Sequence, residues 1–207
     1  MNQGLAVRRE QGRLLLAPSA RTIRWASLVV IAAIGALVVW SGTHEGGNPA
    51  TVALPVATTL LCVWLCFLFE DLAAETTSSS ATPLLFRRAV RAAIAVPPIA
   101  AVWFAYTWIG PLTGPTATMV GSFGAEITLA LAATAVAVRL VGSGGSGLAA
   151  GIGVVFILLV VPVAFGRPPS VDPSLPPFGN PFTYWSTVAL ASAAVLALAH
   201  LDRFQRS

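Results

Sequence analysis

The chain has 207 residues, 56% of them hydrophobic and 10% charged, with a mean hydropathy of +0.80 and a formal net charge of +4. Soluble domains carry about 25% charged residues, so a chain this poor in charge cannot cover a globular surface in water. That excludes a soluble enzyme, a soluble binding module and a disordered protein, and it points to an all-α polytopic membrane protein.

Residues 1–20 form the first segment. Leu5, Val7, Leu14, Leu15 and Leu16 alternate there with Arg8, Arg9 and Arg13, and Pro18 and Ser19 follow. The pattern predicts an amphipathic helix lying on the cytoplasmic face of a membrane, a break at Pro18 and a new helix capped by Ser19. The first long apolar run is not followed by an Ala-x-Ala site, so no signal peptide is expected.

The remainder, 21–207, reads as a six-helix transmembrane domain. A bilayer core of roughly 30 Å needs about 20 apolar residues in a helix. Six stretches qualify, at 25–41, 51–69, 90–110, 119–138, 147–166 and 183–201. All 12 basic residues are Arg. With both termini cytoplasmic, eleven of them fall inside and Arg167 alone falls outside, the asymmetry that the positive-inside rule requires. The high pI is thus accounted for by membrane orientation, and no nucleic-acid partner is implied. Trp40, Trp108, Tyr184 and Trp185 lie near the expected outer boundary, where amphipathic rings gather. The outer loop at 167–182 carries prolines at 168, 169, 173, 176 and 177 and cannot be helical throughout.

Chemistry-bearing patterns are sparse. There is no P-loop, HExxH, paired-carboxylate or GxSxG signature. Cys62 and Cys66 stand at i and i+4 in one apolar run without metal-ligand spacing, so no metal site is expected. Gly144-Gly145-Ser146-Gly147, with Gly151 and Gly153, resembles the serine motif of rhomboid proteases, in which Ser146 would pair with His200. The helper His and Asn of that family are missing from the second span, and a Gly/Ser hinge is the plainer reading.

Glu126 is the single acidic residue well inside a predicted span. An intramembrane ionisable group is costly and therefore a candidate for lining a translocation path. The sequence leaves open a later start of that span, which would put Glu126 near the outer surface.

The inner connection at 70–89 is the longest between spans and holds Glu70, Asp71 and Glu75, three of the eight acidic residues. Asp71 can cap a short helix, Thr82 can cap the next, and Pro83 suits a first helical position. Arg87, Arg88 and Arg91 then anchor the return into the membrane at lipid headgroups.

Glu70-Asp71-Leu72-Ala73-Ala74, followed by Thr82-Pro83 and Arg87-Arg88, is similar to the acidic–Pro–basic loop of permease subunits of bacterial ABC exporters of the drug- and polysaccharide-exporter class, particularly small actinobacterial ones. Six spans with an inside N-terminus, an interfacial helix, a loop between the second and third spans and a structured outer connection extend the resemblance over most of the chain. It implies a multi-pass protein of the bacterial plasma membrane that is not itself an enzyme. It further implies a separate ATP-binding cassette subunit carrying ATP and Mg²⁺, docked at Glu70, Asp71, Leu72 and Glu75. A second permease copy or a related permease would complete the path, with no cofactor on this chain. The alternatives are a non-transport membrane scaffold or assembly protein and the substrate-capture subunit of an importer, where Glu126, Trp103 and Trp108 would supply an outer pocket.

Overall fold

The computed structural model describes residues 23, 25–44, 52–68, 84–109, 117–141, 145–160 and 186–196, with the side chains of 84–88 and 118 left aside. The described residues are all helical apart from short turns and contain no strand. Helix α1 is Trp25–His44, α2 is Ala53–Leu68, α3 is Leu84–Trp108, α4 is Ala117–Val141, α5 is Ser146–Val155 and α6 is Ser186–Leu196. A single π-helical turn, Phe156–Val160, extends α5.

Three helices are long and apolar enough to cross a membrane: Trp25–His44, Ala89–Trp108 and Met119–Val141. The others are shorter apolar helices, Ala53–Leu68, Ser146–Val160 and Ser186–Leu196. The 16 residues of α2 reach about 24 Å at a rise of about 1.5 Å each. The third helix starts at Leu84, earlier than the span expected from 90, so the end of the predicted 70–89 loop is helix. The interfacial segment 1–20, the rest of that loop and the outer loop 167–182 lie outside the described residues.

Helix α2 is the centre of the bundle, and α1, α3, α4 and α5 all pack on it. Its starting turn tolerates Pro55 because first-turn N–H groups have no intrahelical acceptor. The buried hydroxyls of Thr58 and Thr59 donate to the carbonyls of Leu54 (2.8 Å) and Pro55 (2.9 Å), so polar side chains inside the bundle are satisfied locally. Trp64 Nε1 donates to Ser27 Oγ across 2.9 Å, joining the end of α2 to the beginning of α1. That end-to-beginning pairing makes the two helices antiparallel neighbours.

Small residues and long aromatic side chains set the other contacts. Tyr106 Oη of α3 donates to the Ala32 carbonyl of α1 at 2.9 Å. Gly35 permits this, since a Cβ there would sit 2.7 Å from Tyr106 Cζ. Pro97 and Pro98 fall inside α3, where each removes one backbone donor from the helical ladder. At the far end of α1, His44 Nδ1 lies 2.9 Å from the Trp40 carbonyl and its ring packs 4.3 Å from the Trp40 ring. Between α4 and α5 the chain turns at Gly145, whose φ of +82° is left-handed, a conformation glycine adopts without steric cost. Of the Gly/Ser hinge expected there, 142–144 lie outside the described residues.

Candidate functional site

Ten residues of α4 are described as buried, and they fall on one broad face. Along its middle run Met119, Ser122, Glu126, Ala130 and Ala137, spaced by three, four or seven residues as one helical stripe requires. Glu126 is only 6% exposed, on the third turn of a helix that already begins at Ala117. Glu126 is thus packed among its helical neighbours. Its Oε2 has no hydrogen-bond partner among the described residues.

The stripe packs on α2. Cys66 Sγ lies 3.8 Å from the Ala130 carbonyl, which also accepts the Thr134 hydroxyl at 2.8 Å. Cys62 stands one turn before Cys66 on the same buried face of α2. Ala130 and the two cysteines are small, which lets the backbones come close. Both thiols are free and buried, and among the described residues no three His, Cys, Asp or Glu side chains gather as a metal site.

Helix α3 closes the site from the side. Trp103 stacks on Phe123 with centroids 4.6 Å apart and planes 10° from parallel. Phe123 is three residues before Glu126, so the stack stands about one turn from the carboxyl group. Among the described residues no Cα pair between α3 and α4 lies within 8 Å, so large side chains such as these two rings bridge the helices.

Two further features carry no polar chemistry. A groove of about 300 Å³ between α2 and α5 is lined by Val63, Phe67, Leu148, Ile152 and Phe156 among others, all apolar. Ser146, the candidate serine of the protease-like motif, is fully buried in the first turn of α5. A nucleophile needs substrate access, and Ser146 has none in this arrangement; His200 lies outside the described residues.

Of the sequence-predicted site residues, Glu126 is placed in the interior. Glu70, Asp71, Leu72 and Glu75 all lie outside the described residues. The Trp103 and Trp108 pair expected for an outer pocket is split, with Trp103 buried and Trp108 exposed. Phe123, three residues before Glu126 on α4, is a neighbour that sequence reasoning did not assign to it, and its i−3 spacing was the available signal. No family model matches the chain, and neither a curated protein nor a solved structure does.

Proposed function

We propose that this chain is the membrane-spanning permease subunit of an ATP-driven exporter, with six spans, both termini cytoplasmic and Glu126 in its translocation path. The observation that carries the reading is Glu126 itself. A carboxyl group held at the centre of an apolar bundle with an unpartnered oxygen costs stability, and such groups in membrane helices serve transport, proton transfer or ligand binding. The antiparallel packing of α1 and α2 supports repeated crossing of one layer. The acidic–Pro–basic run at 70–88 supports a docking loop for a separate ATP-binding cassette subunit. The chain has no P-loop, so the ATP and Mg²⁺ belong to that partner.

The division of labour follows from charge. Arg residues dominate the cytoplasmic side, and Glu70, Asp71 and Glu75 form an acidic exception beside Leu72. An acidic knob suits a cleft offering cationic or amide donors. Nucleotide binding on the partner would pull on this loop and shift the bundle between two packings. A second permease copy or a related permease encloses the path, in the bacterial plasma membrane.

Co-expression with a candidate ATPase and purification through this chain tests the reading. The ATPase is expected to co-purify, and Asp71→Arg with Glu75→Arg is expected to release it or to abolish substrate-stimulated hydrolysis. Glu126→Gln is expected to keep the complex and lower transport. An ATPase that stays bound and fully coupled to the double charge reversal rules out the 70–75 contact.

A further inference from the structure

We propose that α3 is jointed at Pro97–Pro98: the half running to Trp108 is fixed to the bundle, and the half beginning at Leu84 swings on it as a lever.

The joint follows from the backbone. In a regular helix the N–H groups at positions 97 and 98 would bond to the carbonyls of Ala93 and Ile94. Proline has no N–H, and its ring presses on the carbonyl four residues earlier, so two consecutive rungs of the ladder are missing inside one helix. Membrane helices tolerate such gaps where hydroxyl side chains or neighbouring helices supply substitute bonds. Between Ala89 and Val102, α3 has no Ser or Thr to supply them. Sharp helix bends concentrate at such positions. Pro97 is exposed, and so are Ala93 and Ala101, about one turn to either side of it. Both carry only a methyl group, so no bulky side chain of α3 clasps the joint on that face.

The two halves are held differently. After the joint come the large buried side chains Ile99, Trp103 and Tyr106. Tyr106 Oη donates to the Ala32 carbonyl of α1 at 2.9 Å, and the Trp103 ring stacks on Phe123 of α4 at 4.6 Å. Before the joint, from Ala89 to Val96, Ala95 is the one buried residue, and it offers only a methyl group. Among the described residues α3 has no Cα pair within 8 Å of α4 or α5, so its backbone is confined by α1 and α2.

The length of the free half sets its reach. Leu84–Val96 makes about 20 Å of helix at about 1.5 Å per residue. A change of about 20° at the joint, the size of a sharp kink, moves Leu84 by about 7 Å. No bond at the two proline positions has to break for this. Arg87, Arg88 and Arg91 fall on this half, and basic residues keep such an end at the headgroup level, so the swing runs along the membrane surface.

That a partner ATPase drives the lever through the connection ahead of Leu84 rests on the exporter reading; the joint does not. Spin labels test the joint in the purified full chain in nanodiscs. Ala89 and Ala105 are exposed on either side of it, and Leu37 of α1 is exposed as a reference. The native thiols of Cys62 and Cys66 are buried and shielded from the label. Pulsed dipolar EPR compares Ala89→Cys with Leu37→Cys, the lever pair, against Ala105→Cys with Leu37→Cys, the fixed pair. The lever pair should give a distance distribution about twice as wide as the fixed pair, or two distances several ångström apart. Pro97→Ala with Pro98→Ala restores both N–H groups and should narrow the lever distribution to the width of the fixed one, with each single change narrowing it in part. A lever pair as narrow as the fixed pair overturns the joint. So does a wide distribution that the alanine variants leave unchanged, which would place the motion at a fraying helix start. Narrow distances in a chain that still recruits and couples an ATPase sink the joint and leave the exporter reading standing. A wide, proline-dependent distribution in a chain that recruits no ATPase keeps the joint and sinks the exporter reading.

Discussion

Helices α1 and α2 are similarly apolar, adjacent in sequence and packed together, yet they occupy opposite situations. In α1 only Leu28, Gly35 and Val39 are buried, and Val29, Val30, Ile34, Leu37 and Trp40 stand exposed on its outer surface. In α2 most residues are buried, including Thr58, Thr59, Cys62 and Cys66. The difference lies in position and not in side-chain size: α1 carries Ala32, Ala33, Gly35 and Ala36 along its middle, whereas α2 buries the large Leu54, Leu61, Trp64 and Leu65 among the four helices packed on it. Apolarity alone says that a helix avoids water; its place in the bundle says which apolar surface replaces the water.

The sharpest way to break this comparison is a charge on the outer face of α1. Ile34 sits midway along the helix and is 47% exposed. If that face meets lipid, Ile34→Asp should cost about 2.5–3.5 kcal/mol of insertion free energy. A glycosylation-mapping insertion assay reads it directly, and normal insertion would mean that this face is covered by protein or water.

Cavity formation comes second. Leu61 of α2 is fully buried, whereas Leu37 of α1 is 63% exposed. Leucine-to-alanine changes in soluble cores cost roughly 2–5 kcal/mol through transfer and cavity terms. Inside a membrane the transfer term largely vanishes because lipid is as apolar as leucine, and the lost packing remains. Leu61→Ala should therefore cost about 2 kcal/mol in a detergent-denaturation titration, the low end of that range, and Leu37→Ala less than about 0.5 kcal/mol, as for other exposed sites. Equal effects would erase the distinction between the helices.

The one tight spot on α1 provides an exception to its tolerance. A methyl at Gly35 meets the Tyr106 ring, so Gly35→Ala should destabilise by about 1–3 kcal/mol. Adding Tyr106→Leu should relieve most of the clash, giving a double mutant more stable than the sum of the singles. Simple additivity would mean that α1 and α3 do not touch there.

The smallest effect is expected at the bond between the two helices. Trp64→Phe removes the indole donor to Ser27 Oγ and should cost about 0.6–1.7 kcal/mol, the range of interhelical hydrogen bonds in membranes. In a background of Ser27→Ala the same change should cost less, because the partner is already gone. A full effect in that background would assign the role of Trp64 to packing.

Much of the architecture was legible beforehand because its cause is compositional. Each of the six apolar stretches contains a described helix, since a backbone without water must satisfy its own hydrogen bonds. Helix ends were less legible. Leu84 begins a helix where Thr82 and Pro83 signalled a start, six residues ahead of the span expected from 90, because the basic residues Arg87 and Arg88 fit a helix at a membrane surface. The three shorter helices show that apolar stretch and helix length are set separately. Glu126 stood out by charge, whereas Phe123 did not, because an aromatic ring is ordinary in an apolar helix and only its stack on Trp103 sets it apart.

By itself the sequence determined that the chain is helical, that its helices are apolar, and that one carboxyl group stands alone among apolar residues. These follow from residue type and order, and each can be evaluated from one stretch at a time. Only the tertiary structure decided that α2 is central and α1 peripheral, that Glu126 is buried, and that the Trp103 and Phe123 rings bridge α3 and α4. Those depend on which helix faces which, and a uniformly apolar stripe has no periodic signal to say so. The helices find their partners by the fit of small residues against large ones, such as Gly35 against Tyr106 and Ala130 against Cys66, and that fit exists only between surfaces distant in the chain.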